Sequence, residues 1–377
     1  MQITLRHTYR IELNEPVFDA VLALRATASQ FDGQDIETWN VVAPGLETAP
    51  IAVDGFGNVV RLISLPHQQH EIVVQISGKV DRTDTFGMIK GLAEPCRPHV
   101  YLRTTELTEP GDDIAEKVSA ISQDSPLAVM HAWNEFVHRT WAYERAVDPE
   151  VSKPKQKSKR KKAGQRGTRS PDANAAGADG ALTDDNAIQS EGEAGVGNPA
   201  FKSSPLPVGD VVRLGCGDGI DLAHVFIAGA RHLDLPARVV LGYLARPKID
   251  EEPETNGDLL PPGRHAWAEV WIEGLGWVGF DPVLNQCPTD RYVRLSCALD
   301  GNGAVMLRSV PGLDDLGRVT ETVELSLPDL DPEVDEHQSR QDVGAGDTDH
   351  SQVGDGAGDA STSDPSNQSG SQTQSQS

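Results

Sequence analysis

The sequence predicts an α+β protein, with an antiparallel β domain over residues 1–108 and a core of mixed helix and strand over residues 109–328. Three observations carry that expectation. Apolar residues recur at every second position near the N-terminus, and they recur at helical spacing after residue 110. Two segments, 151–204 within the core and 329–377 at the C-terminus, hold almost no large apolar side chains. Both are expected to be disordered, because they cannot bury enough apolar surface to offset the entropy of ordering.

The elements follow in chain order. From Ile3, the positions Ile3, Leu5, His7, Tyr9 and Ile11 alternate with Gln2, Thr4, Arg6, Thr8, Arg10 and Glu12, the period of a half-buried strand. Asp54-Gly55-Phe56-Gly57-Asn58 lies between Ile51–Val53 and Val59–Ile63, a hairpin connection rich in residues that tolerate positive φ. Glu71–Ile76 and Lys79–Asp81 continue in that style. Asp112 or Asp113 can then cap a short helix reaching Ile121. Ser125-Pro126 reads as an N-cap with proline at the first helical position, and Val129, Ala132, Trp133, Phe136, Val137 and Trp141 follow on one stripe.

Order resumes at Pro205. A helix from Gly219 or Ile220 to Asp234 carries Ala223, Phe226, Ile227, Ala230 and Leu233 on one side and stops before Pro236. Arg238–Leu244 is a β-branched, buried strand. His265–Ile272 and Trp277–Asp281 are two further strands, joined by Glu273-Gly274-Leu275-Gly276.

Charge narrows the function. Against 33 Lys and Arg stand 57 Asp and Glu, a formal net charge of −24. That excludes an overall basic nucleic-acid binder, which needs clustered Lys and Arg for phosphate contacts. Lys153–Arg169 carries nine basic residues and no acid, and Asp172–Glu193 carries six acids and no base. Those two runs sum to +3 and the tail to −10, which leaves −17 on the rest of the chain. The basic run allows at most a weak contact with nucleic acid or an acidic partner. Four cysteines, Cys96, Cys216, Cys287 and Cys297, show neither a disulfide framework nor zinc-ligand spacing. With no apolar signal region after Met1 and no apolar run of membrane-spanning length, a cytoplasmic protein with reduced thiols and no membrane partner is expected. His224 and His232 have no acid or thiol partners at ligand spacing, and neither a metal nor a cofactor is expected.

One glycine-rich stretch, Val212-Arg-Leu-Gly-Cys-Gly-Asp-Gly219, reads as a strand entering G-C-G-x-G, the pattern by which Rossmann-type methyltransferases cradle S-adenosylmethionine. The usual acid two residues before the first glycine is Arg213 here, and Val239–Leu244 ends without an acid to grip a ribose. The remaining chain reads as an antiparallel hairpin, so this is the weaker alternative.

Read from its helix forward, the same region runs Asp221-Leu-Ala-His224, Pro236-Ala-Arg238, His265-Ala-Trp267 and Gly276-Trp-Val-Gly-Phe-Asp-Pro282. This succession closely resembles the core of bacterial transglutaminase-like proteins, and the first hundred residues resemble the β domain that precedes that core, including its Asp-x-Phe-Gly-Asn turn at Asp54–Asn58. The resemblance implies a papain-like transglutaminase core and a Cys–His–Asp triad of the cysteine acyl-transfer or amide-hydrolysis class. In such a triad a thiolate attacks an amide carbonyl, His serves as base and then acid, and Asp orients the ring. The resemblance implies His265 as the base, Asp281 as the orienting acid, and a protein or peptide as substrate or ligand.

The nucleophile departs from the pattern. In the register set by Asp221-Leu-Ala-His224, the cysteine position holds Gly219. Cys216 lies three residues earlier, and Cys216-Gly217-Asp218 itself reads Cys-x-Asp, so a shifted motif would place Cys216 one turn, about 5 Å, nearer the helix start. Two functions follow from the site candidates Cys216, His265 and Asp281: an acyl-transfer enzyme using Cys216, or a non-catalytic descendant, a pseudoenzyme that binds a protein or peptide in the old cleft. The hairpin adds a condition. With Gly274-Leu275 as the turn centre, Asp281 falls opposite Ala268 and on the other face from His265, unless a one-residue bulge at Gly276 or Gly279 restores the shared face.

Overall fold

The alternation at the N-terminus becomes a long strand, β1 (Gln2–Val17), with Ile3, Leu5, His7, Tyr9 and Ile11 buried along one side. In the computed structural model the described residues are 1–17, 20–65, 69–144, 205–246 and 263–327. The insert at 151–204 and the tail at 329–377, both expected to be disordered, lie outside them.

Two antiparallel sheets of four strands form the first layer pair. One runs β15 (Gly317–Ser326), β1, β6 (Gln69–Arg82), β3 (Gln34–Val42). The other runs β14 (Leu307–Val310), β2 (Val21–Leu24), β5 (Val59–Ser64), β4 (Ile51–Val53). The expected Asp54–Asn58 hairpin joins β4 to β5. Glu71–Ile76 and Lys79–Asp81, read as separate pieces, are one continuous strand. In strand pairing, residues 307–326 go with the N-terminal sheets: β15 runs along β1 from Thr4↔Ser326 to Leu13↔Gly317, and β14 runs along β2.

A third sheet of five antiparallel strands is the core of the site-bearing half. Its order is β13 (Tyr292–Ala298), β10 (Ala237–Leu244), β11 (Gly263–Ile272), β12 (Gly276–Phe280), β7 (Met88–Ile89). One face packs against α1 (Gly111–Ser119), α2 (Pro126–Thr140), α3 (Val208–Leu214) and α4 (Gly219–His232). On the other face, Tyr243, Val293 and Leu295 join the core between the N-terminal sheets. Both faces of β10 are thereby covered, which is why all eight of its residues are buried and why, Arg238 apart, it lacks charged residues. Ser125 caps α2 by accepting the Ala128 N–H, as its Ser-Pro signature predicts. The first helix starts at Gly111, with Asp112 and Asp113 in its first turn where they face the positive end of the helix dipole, rather than at the cap. No described helix is long and apolar enough to cross a membrane.

The expected strand ahead of Gly215 is a helix. Residues 208–214 form α3, which Gly215 ends in the left-handed conformation at φ +77°. A Rossmann-type phosphate loop needs a parallel strand there, and the sheet beside it is antiparallel throughout.

Three strands of the core sheet are tied by one buried carboxylate. Glu269 on β11, with no exposure, accepts from Arg238 Nε on β10 at 2.6 Å and from Arg294 Nε on β13 at 2.8 Å. Arg238 also holds Glu94 through both terminal nitrogens and lies 3.8 Å from the centre of the Trp277 ring. Burial pushes the Glu269 carboxyl up, but the two arginines outweigh it and hold its pKa below the ordinary glutamate value. A carboxylate depressed on folding stabilises the native state above its unfolded pKa, and that contribution is lost as pH falls through the folded value. E269Q should therefore cost about 3–5 kcal/mol at neutral pH, measured by urea denaturation, because it leaves two buried guanidiniums without their shared charge. The difference from wild type should shrink as pH falls below the ordinary glutamate range.

Candidate active site

The site is built at the start of α4. Asp218 occupies the N-cap in an extended conformation, and its side chain accepts the N–H groups of Ile220 and Asp221, each at 3.0 Å. Asp221 reciprocates by accepting the Asp218 N–H at 3.1 Å, completing a capping box. Gly217 is required by that closeness: a Cβ there would stand 2.6 Å from the Asp221 Cβ. Helix therefore begins at Gly219 and not earlier.

This decides where Cys216 lies. Cys216–Gly217 forms β9, paired in parallel with β8 (Ala142–Tyr143) through Ala142 N–H to Gly215 O and Glu144 N–H to Gly217 O. Cys216 is half-buried and sits in extended chain, two residues before the cap. The shifted motif does not put Cys216 one helical turn before Gly219, because capping by Asp218 stops the helix short of it.

Gly219 occupies the first helical position, facing the base. A Cβ built on it would lie 3.8 Å from His265 Nδ1, and 3.8 Å from both N and O of Ala266. These are ordinary contacts, so this glycine is forced neither by crowding nor by a left-handed φ.

His265 and Asp281 are brought together. His265 Nε2 stands 2.6 Å from Asp281 Oδ2. The hairpin condition is met by the loop, which turns through Glu273, Gly274 and Leu275 with Gly274 and Gly276 at φ +84° and +87°. Ala268 consequently pairs with Phe280, and the one-residue displacement carries Asp281 onto the same side as His265. Asp281 is fully buried and well supplied with donors. Its Oδ1 accepts the N–H groups of Val283 (2.8 Å) and Leu284 (3.3 Å), and its Oδ2 accepts the Tyr292 hydroxyl at 2.6 Å. Burial and then the neighbouring Asp281 push the Tyr292 pKa far up, so the phenol keeps its proton and donates it.

Helix α2 grips the same turn from outside. Asn134 Nδ2 donates to the Asp281 carbonyl at 3.2 Å, and His138 Nδ1 stands 3.0 Å from the Val283 carbonyl. Asn134, His138 and Tyr292 escape sequence reading. Asn134 and His138 share an i,i+4 face, a spacing that marks a polar pair on an otherwise apolar helix; Tyr292, eleven residues beyond Asp281 in another strand, has no such signal.

Chemically, the arrangement is an imidazole bonded to a buried carboxylate, which can serve as a base with an orienting acid: when Nε2–H is donated to Asp281, the Nδ1 lone pair faces the helix start. Among the described residues, no group of three or more His, Cys, Asp or Glu side chains gathers as a metal site. His224 instead accepts the Gly301 N–H at 2.8 Å, and His232 Nε2 stands 3.2 Å from the Ser119 hydroxyl.

Y292F removes one of the donors to the Asp281 carboxylate. It should lower stability by about 1.5–3 kcal/mol in urea titration, the usual worth of a hydrogen bond to a charged group. It should also shift the His265 Nε2–H proton resonance, whose acceptor oxygen has lost its second donor, while distant resonances stay in place.

Residues 180–282 match the family model of the transglutaminase-like superfamily. Among solved structures, a candidate cysteine protease from Cytophaga hutchinsonii aligns at 16% identity and TM-score 0.51, over 88% of this chain and 92% of that one. The ethylmercury-bound periplasmic domain of TgpA from Pseudomonas aeruginosa aligns at 14% identity and TM-score 0.28, over 74% of this chain and 90% of that one. No curated protein matches the chain. Residues 180–282 are thus similar in sequence to a transglutaminase-like core, and the Cytophaga structure shares the fold.

Proposed function

We propose that the chain is a peptide- or protein-binding transglutaminase-like protein whose cleft no longer carries out thiol acyl transfer. One observation carries this reading: Gly219 holds the helix-start position 3.8 Å, Cβ to Nδ1, from a His265 that still bonds Asp281. A thiol chain on that Cβ would bring sulfur within hydrogen-bond reach of Nδ1, the relation a nucleophile needs with its base. Glycine supplies no such atom. The histidine, its acid partner and the capped helix persist around the position, which supports a site kept for binding without its chemistry.

A second reading keeps acyl transfer by moving the nucleophile to Cys216. It is favoured by Cys216-Gly217-Asp218 lying directly before α4. Against it stands the extended β9 geometry, which removes Cys216 from the helix dipole that would favour a thiolate.

Restoring the missing atom tests both. G219C should alkylate with iodoacetamide at the introduced thiol well below pH 8, on the order of tenfold faster than any native cysteine, and H265Q in the same background should abolish the gain. No gain in G219C would mean that the His–Asp pair is not aligned on this position. If instead wild type reacts rapidly and C216A abolishes that reaction, the relocated nucleophile is the correct account.

A further inference from the structure

A narrow slot opens beside the Glu269 cluster, with room for about one or two water-sized groups. Phe31, Arg82, Thr85, Gly87, Trp267 and Tyr292 are among its walls. Arg82 is 5% exposed. Its Nη1 donates to the Gly33 carbonyl, its Nη2 reaches the Thr289 carbonyl only at 3.4 Å, and its Nε has no hydrogen-bond partner among the described residues. The other buried guanidiniums here are matched: Arg238 and Arg294 share Glu269, and Arg238 also holds Glu94. Among the described residues no carboxylate stands within ion-pair distance of Arg82, although Asp84 and Asp290 act on it from farther off. Burial lowers its pKa to about 10, which still leaves a cation at neutral pH. A buried cation without a paired anion is costly.

We propose that the slot binds a carboxylate that carries an apolar group, with the carboxylate pairing to the Nε and Nη2 edge of Arg82. That edge of a guanidinium is the fork that receives two carboxylate oxygens at once. The surroundings favour this anion over phosphate. A narrow slot admits a flat head more readily than a tetrahedral one, and Glu269, Asp84 and Asp290 repel a doubly charged group more strongly than a singly charged one.

The apolar part is read from Phe86. This residue is 78% exposed and holds φ +54°, a left-handed conformation that is costly for a bulky side chain. Asp84 Oδ1 accepts its N–H at 2.7 Å, and the Thr85 carbonyl accepts the Met88 N–H at 3.0 Å, so a tight turn fixes it there. Thr85 and Gly87, on either side of Phe86, both line the slot, which puts the exposed ring by its mouth. An apolar group on the ligand can lie against that ring while the carboxylate reaches Arg82. Two walls also neighbour the His–Asp pair: the Trp267 and Tyr292 rings are centred 6.4 and 5.8 Å from that of His265. The inference goes beyond peptide binding at Gly219 and does not depend on it.

Titration of the full chain with 3-phenylpropionate, followed by calorimetry and by the Trp267 indole resonance, tests it. Binding should saturate with a dissociation constant on the order of 1 mM, the range open to a ligand of this size. The uncharged 3-phenylpropanamide should bind at least about tenfold more weakly, and inorganic phosphate should not compete. R82Q should lose on the order of tenfold or more in affinity. F86A should lose about threefold with an unchanged urea midpoint, because the ring is exposed. Equal affinity for acid and amide in wild type would overturn the proposal whether or not R82Q folds. So would no saturation by roughly 50 mM, displacement by phosphate, or full affinity in F86A. None of these outcomes touches the thiol chemistry of G219C, so this proposal and the reading of a lost thiol site fail separately.

Discussion

Glu269 is the fixed point of the molecule. It is fully buried, and its two oxygens are shared between a guanidinium on each of two neighbouring strands. Removing a carboxylate and two guanidiniums from water is expensive, and the cost is offset only where geometry is good and all partners are present. That condition makes register in the core sheet nearly all-or-none. A one-residue slip of β11 would turn Glu269 away from both arginines and His265 away from Asp281 at once, since side chains alternate across a strand. Glu269 and His265 sit on the same strand, four residues apart, and share the same face.

The second dependency is the covering of that sheet. Helices close one face, and the N-terminal sheets close part of the other. The N-terminal sheets are themselves completed by β14 and β15 from the far end of the described chain. Glu321 on β15 reaches back to the core by pairing with Arg264, the residue before His265, and its carboxylate lies 2.7 Å from His7 Nε2 on β1. Burial holds the His7 pKa low despite that carboxylate, so the contact joins the N-terminal sheets to β11 without adding a permanent cation. The strand that carries the base is thus braced along its length and from both sides.

At the site the contrast lies between the glycines that the backbone requires and one that it does not. Gly217 is a glycine because Asp221 comes too close for any other residue, and Gly215 is one because α3 ends there in left-handed backbone. Gly219 has neither reason. Its neighbours leave room for a side chain beside His265, so packing does not require a glycine there.

By itself the sequence determined the α+β class with its antiparallel strands, the cap at Ser125, the start of a helix at Gly219, and the chemical types at 219, 265 and 281. Each of these is written in local periodicity, in cap residues or in a contiguous motif. Only tertiary structure decided three other matters. The turn through Glu273–Leu275 set the register that joins His265 to Asp281, because the choice between two-residue and three-residue loops rests on backbone angles that several sequences satisfy. The pairing of Cys216 with Ala142 drew that thiol into a strand, through hydrogen bonds to a segment more than seventy residues earlier. The strands at 307–326 joined the N-terminal sheets, although β15 turns Glu321 inward at a position where a simple alternating pattern calls for an apolar residue. Long-range hydrogen bonds and buried charge, neither visible in a window of sequence, made those decisions.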